Sequence, residues 1–204
     1  MIKNIIFDLG RVLINFEPET YLKELGIDKK TREIYLFDIF KGEEWLDLDR
    51  GIITEEQAIN KIVAKGRIKK EEVRDILDAR VVFFTELSHN TPLVKQLKDN
   101  GYKLYILSNF AKKPFEAIFE KYNFFKHFDG KVVSYEDGLN VIKPDSNIYD
   151  TLLNRYDLLP EETAFIDDTL VNIEKAEEYG ITGIHLPDHT ELKRKLIEKS
   201  LLVT

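Results

Sequence analysis

The chain has 204 residues, of which 43% are hydrophobic and 33% charged, a balance typical of a globular protein. Its formal net charge of -7 argues against nucleic acid or an anionic membrane surface as a partner, because both select basic surfaces. There is no cysteine, which excludes disulfides and thiolate metal sites, and no apolar run approaches the roughly 18 residues of a membrane span. We expect no secretory signal and a cytoplasmic location, because the N-terminus enters a buried type of strand almost at once.

A short apolar run near the N-terminus ends in a carboxylate. Ile5, Ile6 and Phe7 precede Asp8, and Gly10 follows two positions later. An uninterrupted apolar run of this length, bounded by such a break, predicts a strand buried on both faces, as in a parallel sheet. Asp8 is then expected at the carboxyl end of the strand, where open α/β sheets bind their ligands. Taken alone, an aspartate in this position is more simply interpreted as the cap of a turn, and the polar clusters after the later strands are what favour a site.

The chain between residues 16 and 89 has helical periodicity and no convincing buried strand. Apolar residues recur at spacings of three and four in three segments, at residues 31–40, 54–65 and 70–82. Thr54 and Gln57 have the spacing of a capping box at a helix start. Residues 45–51 are interpreted as a loop between helices. The pattern predicts a helical insertion directly after the first strand.

From residue 91 onward, predicted strands alternate with predicted helices. The first of these helices starts with Pro92 and stops at Asn100 and Gly101. Further strands are predicted at residues 103–107, 130–134, 163–166 and 183–186, and further helices at about 114–122, 143–156, 172–179 and 190–202. This alternation predicts an α/β fold with a parallel sheet and helices on both of its faces.

Polar residues stand where the predicted strands and helices meet. They are Asp8 after the first strand, Ser108 and Asn109 after the second, Lys143 at a helix start after the third, and Asp167 and Asp168 after the fourth. Carboxyl ends of parallel strands share one edge of a sheet, so we expect these side chains to converge. Three close carboxylates raise one another's pKa unless a cation lies between them, and oxygen ligands without histidine or cysteine suit Mg²⁺. Each cluster alone is more often a turn or a helix cap, but four in this order favour a site for a phosphoryl group.

Four segments resemble, in order, the motifs of the haloacid dehalogenase-like hydrolase superfamily. They are Phe-Asp-Leu-Gly at 7–10, Leu-Ser-Asn at 107–109, Lys-Pro at 143–144 and Phe-Ile-Asp-Asp at 165–168. The resemblance covers essentially the whole chain. It implies a Rossmann-like core of residues 1–15 and 90–204, with a small helical cap over residues 16–89. The first motif, with residues 45–51, is most similar to the branch that contains sugar-1-phosphate phosphatases.

The resemblance also implies a Mg²⁺-dependent phosphatase that hydrolyses a small phosphorylated metabolite through an aspartyl-phosphate. Asp8 would be the nucleophile, Ser108 and Asn109 would bind the transferred phosphoryl group, and Lys143 would pair with both the phosphoryl group and Asp8. The implied metal ligands are Asp8, the backbone carbonyl of Gly10 and Asp168, with Asp167 acting directly or through water. Asn172 would orient Lys143 or the aspartate motif.

Gly10 departs from the pattern of the family. Most phosphatases of the superfamily carry a second aspartate two residues after the nucleophile, which protonates the leaving group, and glycine has no proton to give. General acid catalysis is typically worth about 10²- to 10⁴-fold in rate. A water or a residue of the cap would have to substitute, and Asp47, Asp49 and Arg50 are the candidates. The alternative interpretation of these three is a solvated turn between helices.

Two other functions remain open at this point. A haloacid dehalogenase would use the same aspartate without a metal, but it would leave Asp167 and Asp168 near Asp8 with no cation to offset them. A binding or regulatory protein could keep the fold without turnover, although it would have no evident reason to retain Asp8, Lys143 and Asp168 together. The four histidines have no ligand spacing and are interpreted as structural or surface residues. We expect a monomer or homodimer.

Overall fold

A five-stranded parallel sheet with strand order β3-β2-β1-β4-β5 forms the centre of the fold in a computed structural model that describes residues 1–136 and 138–203. The strands are β1 (Asn4–Phe7), β2 (Lys103–Ser108), β3 (Gly130–Val133), β4 (Thr163–Asp167) and β5 (Thr182–His185). The predicted α/β class and parallel sheet are confirmed.

Ten α-helices accompany these strands in the described residues. They are α1 (Pro18–Glu24), α2 (Lys29–Tyr35), α3 (Glu43–Asp49), α4 (Glu55–Ala64), α5 (Lys70–Phe83), α6 (Thr91–Asp99), α7 (Lys112–Lys121), α8 (Ser146–Arg155), α9 (Leu170–Glu178) and α10 (Leu192–Glu198). None of the helices in residues 1–136 and 138–203 combines the length and the apolar composition needed to cross a bilayer.

The central strand β1 is buried on both faces because its side chains alternate between two hydrophobic cores. Ile5 and Phe7 belong to the core formed with α6, α7 and α10, whereas Ile6 belongs to the core formed with α8 and α9. Phe7 pairs with Ile106 of β2 on one side and with Ile166 of β4 on the other. This register brings the residues that follow β1, β2 and β4 to the same edge of the sheet.

Helices α1 to α5 form the predicted helical insertion between β1 and α6. The segment that leads into this insertion pairs with the segment that leads out of it. The amide of Asn15 donates to the carbonyl of Thr85 over 2.7 Å, and the amide of Leu87 donates to the carbonyl of Leu13 over 2.8 Å. The capping box of Thr54 and Gln57 is present at the start of α4. We refer to α1 to α5 as the cap; its division from the core at residues 15 and 90 stays a prediction.

The interpretation of residues 45–51 as a loop was wrong. Residues 43–49 form α3, and Trp45, Leu48 and Asp49 lie on its buried face. The alternating sequence Leu-Asp-Leu-Asp at 46–49 obscured this helical spacing. Three other helices are shorter than predicted. The helix α2 passes into a π-helical turn at Leu36–Phe40, and α10 ends at Glu198. The helix α8 begins only at Ser146 with Asp145 as its N-cap, so Lys143 lies in the turn before α8 and not at a helix start as predicted.

Candidate active site

Asp8 follows the central strand and is almost completely buried. Its backbone amide continues the sheet by donating to the carbonyl of Ile166 over 2.9 Å. Its Oδ1 accepts a hydrogen bond from Ser108 Oγ at 2.8 Å and lies 2.8 Å from Lys143 Nζ. No residue in the described part of the chain donates to Oδ2. One carboxylate oxygen is therefore fixed by two donors, and the other is left for a ligand.

Lys143 is a buried cation between two carboxylates. Its Nζ donates to Asp167 Oδ2 over 2.6 Å, and the ring of Phe165 lies 5.4 Å away. Burial alone would lower the pKa of Lys143, but the charges of Asp167 and Asp8 outweigh burial and raise this pKa. The side chain is therefore protonated across the physiological range, and its charge is shared between Asp8 and Asp167.

Asn109 holds the backbone of Lys143 rather than pointing freely into the site. Its Oδ1 accepts from the Lys143 amide at 2.8 Å, and its Nδ2 donates to the Lys143 carbonyl at 3.3 Å. Both ends of the amide are thus occupied within the protein. Asn109 fixes the segment that presents the lysine, while it also borders the cavity described below.

Asp167 is fully buried and its oxygens are saturated. Oδ1 accepts from the amide of Thr169 at 2.8 Å and from Asn172 Nδ2 at 3.1 Å, and Oδ2 accepts from Lys143 and from the same Asn172 nitrogen at 3.1 Å. The predicted contact of Asn172 is therefore with the aspartate motif, not with the lysine. With four accepted hydrogen bonds, Asp167 has little capacity left for a direct metal bond.

Asp168 is only half-buried and faces the cavity. Its Oδ1 accepts from Thr169 Oγ1 at 3.2 Å, and its Oδ2 lies 3.4 Å from Arg11 Nη1. Burial and the charge of Asp8 raise the pKa of Asp168, and Arg11 opposes this increase. Asp168 is thus less completely satisfied than its neighbour Asp167.

The carboxylates form a cluster that fits a hard divalent cation. One oxygen from each of Asp8, Asp167 and Asp168 lies within 4.8 Å of the others, and Gly10 borders the same cavity. Burial raises the pKa of Asp8, Lys143 opposes the increase, and the charge of Asp167 adds to it. Lys143 therefore does not fully compensate for the burial of Asp8 among the other carboxylates. An all-oxygen set of this kind suits Mg²⁺, which would add the missing positive charge.

The cluster opens into a cavity of about 320 Å³ between core and cap. Of the three cap candidates, only Asp49, the last residue of α3, borders this cavity. Asp47 instead lies 3.1 Å from Arg50 Nη1 and 3.6 Å from Lys61 Nζ. Burial raises the pKa of Asp49 to about 7, and the charge of Arg80 only partly offsets this effect. Asp49 is thus a carboxyl group that carries a proton near neutral pH.

Three contacts dock the end of α3 onto the loop that follows β3. Ser134 Oγ donates to the carbonyl of Asp49, and Asn140 Nδ2 donates to the carbonyl of Arg50 at 3.1 Å. Gly51 has a φ of +70°, and a Cβ at this position would lie 3.1 Å from the Cα of Tyr135. A glycine is therefore needed there for both the backbone conformation and the close approach of the two segments. These contacts hold Asp49 over the site.

Sequence reasoning missed several residues near the carboxylates. Arg11 and Thr169 border the cavity, and a ring nitrogen of His185 lies 3.0 Å from the backbone carbonyl of Asp168. The only signal for Arg11 and Thr169 was their position directly after the first and fourth motifs. His185 is the last residue of β5, and it reaches the aspartate motif because β5 pairs with β4. The sequence of β5 alone does not indicate this contact.

The chain belongs to the haloacid dehalogenase-like hydrolase family, which it matches over residues 2–180. It is therefore an enzyme of the hydrolase class, as the four motifs predicted. It is 27% identical over 190 residues to a sesquiterpene phosphatase of Aspergillus oryzae, covering 91% of this chain and 90% of that protein. It is 25% identical over 212 residues to a D-ribitol-5-phosphate phosphatase of Bacteroides thetaiotaomicron, covering 96% of this chain and 97% of that protein.

A solved structure extends the similarity to three dimensions. It is the crystal structure of a family enzyme from Bacteroides thetaiotaomicron in complex with magnesium and inorganic phosphate, at 25% identity and a TM-score of 0.69. The match covers 91% of this chain and 94% of that one. The chain is thus similar, over most of its length, to phosphatases and to a family structure that binds magnesium and phosphate.

Proposed function

We propose that this hydrolase is a Mg²⁺-dependent phosphatase that acts on a small phosphorylated metabolite through an aspartyl-phosphate. The observation that carries the proposal is the environment of Asp8: one oxygen is fixed by Ser108 and Lys143, and the other has no donor among the described residues. Asp8 also belongs to a cluster of three carboxylates, with Asp167 and Asp168, whose oxygens suit a hard divalent cation. The phosphatase relatives and the magnesium and phosphate complex support the same chemistry.

In the first step, the free oxygen of Asp8 attacks phosphorus and the bond from phosphorus to the leaving oxygen breaks. Lys143 and Ser108 hold the carboxylate in place and offer donors to the phosphoryl oxygens. In the second step, water attacks the phosphorus of the aspartyl-phosphate and gives a proton to the Asp49 carboxylate, and the bond from phosphorus to Asp8 breaks, which releases phosphate and restores both carboxyl groups. Mg²⁺ would be held by Asp8, the carbonyl of Gly10 and Asp168, and Asp167 would lie outside its direct ligands. When bound, the ion would offset the negative charge on the phosphoryl group.

The proton for the leaving oxygen comes, in this proposal, from Asp49. Gly10 cannot supply it, whereas Asp49, at the end of the cap helix α3, borders the cavity with a pKa of about 7. A carboxyl group that is partly protonated at neutral pH meets the requirement for a general acid. Its low solvent exposure and its hydrogen-bonded backbone fix its position over the site.

Phosphate release from a panel of phosphate monoesters, measured with and without Mg²⁺, tests the proposal. We expect Mg²⁺-dependent release that Asp8→Asn abolishes and that Asp47→Asn, a matched change in the cap, leaves intact. Halide release from 2-haloacids in the presence of chelator would instead identify a dehalogenase. No turnover of either class would favour a binding role. A cytoplasmic location and a monomeric or homodimeric state remain predictions.

A further inference from the structure

Apart from Asp49, the residues that border the cavity away from the carboxylate cluster and its neighbours in the chain are mainly apolar. We call them the aromatic wall: Phe16, Trp45, Phe84, Phe110, Ala111 and Pro114. Among the described cap residues that border the cavity, Asp49 is the single one with an ionisable side chain. The other charged and amide lining residues, such as Lys143 and Asn109, belong to the segments that follow β1, β2 and β4, to α9 or to the turn before α8. A group attached to the phosphate that extends away from these segments therefore meets aromatic rings.

The rings of the aromatic wall pack against one another. The ring centroid of Phe16 lies 5.7 Å from that of Trp45 and 5.6 Å from that of Phe84. Phe84 and Phe110 are 4.8 Å apart. Behind Trp45, the guanidinium of Arg80 lies 5.6 Å from the indole ring and is itself buried. Phe16 is the half-buried member of the wall, whereas Trp45 and Phe84 border the cavity with 9% and 3% of their surface exposed.

Such a wall selects against hydroxyl groups. Each hydroxyl of a sugar or polyol that leaves water without gaining a hydrogen bond weakens binding by roughly tenfold. One carboxyl group, used to protonate the leaving oxygen, cannot serve several hydroxyls as well. An apolar group of matching size loses nothing in the same position and gains contact with the rings. The volume of about 320 Å³ is near the lower end for ligand sites, so the group must be compact.

We infer that the leaving group is a compact apolar alcohol, of the aryl or isoprenoid kind, rather than a polyol. The inference rests on the proposed phosphatase function and narrows its substrate class. It differs from the sugar-phosphate branch that the first motif resembles. Phe16, Trp45 and Phe84 are then the residues that determine specificity, and Asp49 is the group that meets the departing oxygen.

Primary alkyl phosphates that differ only in the polarity of the alcohol test this inference. We expect kcat/KM for 3-phenylpropyl phosphate or geranyl phosphate to exceed that for glycerol phosphate and ribitol 5-phosphate by at least about 100-fold, the effect of two unpaired hydroxyls. Phe16→Gln places an amide in the wall and should reduce this ratio about tenfold or more. Phe37→Gln is the matched control, because Phe37 is 64% exposed and does not border the cavity.

Binding to the Asp8→Asn variant separates this inference from the proposed function. Calorimetry of that variant with the same phosphates measures the preference for the alcohol without turnover. Tighter binding of the apolar phosphates than of the polyol phosphates supports the inference. If the parent enzyme hydrolyses none of these phosphates, the phosphatase proposal is refuted, but the inferred preference for an apolar alcohol is not. Binding or turnover of the polyol phosphates as good as that of the apolar ones overturns the inference and leaves phosphatase activity intact.

Discussion

Replacing Asp49 with asparagine removes one proton from the cavity while keeping the size of the side chain. In the folded protein burial raises the pKa of Asp49 to about 7 from an ordinary value of 3.8. The native state therefore keeps this proton between about pH 4 and pH 7, whereas the unfolded chain loses it. At about 1.4 kcal/mol per pKa unit, the parent should lose up to about 4 kcal/mol of unfolding free energy across that window as the pH rises. Asp49→Asn should lack this loss.

The same substitution should affect catalysis in a way that depends on the leaving group. Loss of a general acid typically lowers the rate about 10²- to 10⁴-fold. The full effect is expected for alkyl phosphates, whose departing alkoxide is a strong base, and a much smaller one for aryl phosphates. In the parent, kcat/KM should fall as the pH rises through about 7, because Asp49 loses its proton. In Asp49→Asn this falling limb should disappear, while the rising limb from the second ionisation of the phosphate, near pH 6, remains.

Two measurements check this reasoning. Urea unfolding of parent and variant from pH 4.5 to pH 8.5 gives the difference in stability, and steady-state kinetics with paired alkyl and aryl phosphates gives the pH profiles. Asp47→Asn is the control, because Asp47 is paired with Arg50 and Lys61 outside the cavity. If Asp49→Asn keeps both the alkyl rate and the falling limb of the parent, Asp49 is not the general acid and a water must supply the proton.

Further predictions concern the carboxylates and Gly10. Asp8→Asn should reduce turnover to background, because an amide is a poor nucleophile, while circular dichroism shows an unchanged fold. A rate near that of the parent would exclude attack by Asp8. Chelator should abolish phosphate release by the parent, and added Mg²⁺ should restore it. Asp168→Ala should also abolish phosphate release, and Mg²⁺ should not restore it. Full activity in chelator would contradict the metal requirement. Adding Gly10→Asp to Asp49→Asn should raise the rate with alkyl phosphates at least about tenfold, because it supplies a new carboxyl group. There is room for the side chain, since a Cβ at Gly10 meets no atom within 4 Å. No increase in a folded protein would argue against a missing acid.

Most of the core of the site could be predicted from the sequence because its residues end a strand or directly follow one. Asp8, Ser108, Asp167 and Asp168 needed only the alternation of strands and helices and the rule that parallel strands share their carboxyl edge. The fold confirmed that rule through the pairing of β1 with β2 and β4. Lys143 needed more, because it lies in a turn three residues before α8 and not at a helix start, and the resemblance to the family supplied its partner.

The cap side of the site could not be predicted in the same way. Asp49 reaches the cavity because α3 is a helix and because Ser134 and Asn140, about 85 to 90 positions later in the chain, bond the backbone at residues 49 and 50. No local pattern in the sequence announces such contacts. Asn109 is a second example: its position was predicted, but the structure directs both ends of its amide to the backbone of Lys143. Tertiary packing decides which of several possible hydrogen-bond partners a side chain meets.

The covalent step on Asp8 is the central claim, and mass spectrometry of enzyme quenched in acid during turnover tests it most directly. With Mg²⁺ and a substrate, the peptide that contains Asp8 should gain the mass of one phosphoryl group within a single turnover. The gain should decay as phosphate appears, and it should be absent in Asp8→Asn. Phosphate released at the full rate by an enzyme whose Asp8 peptide never gains this mass would contradict the account.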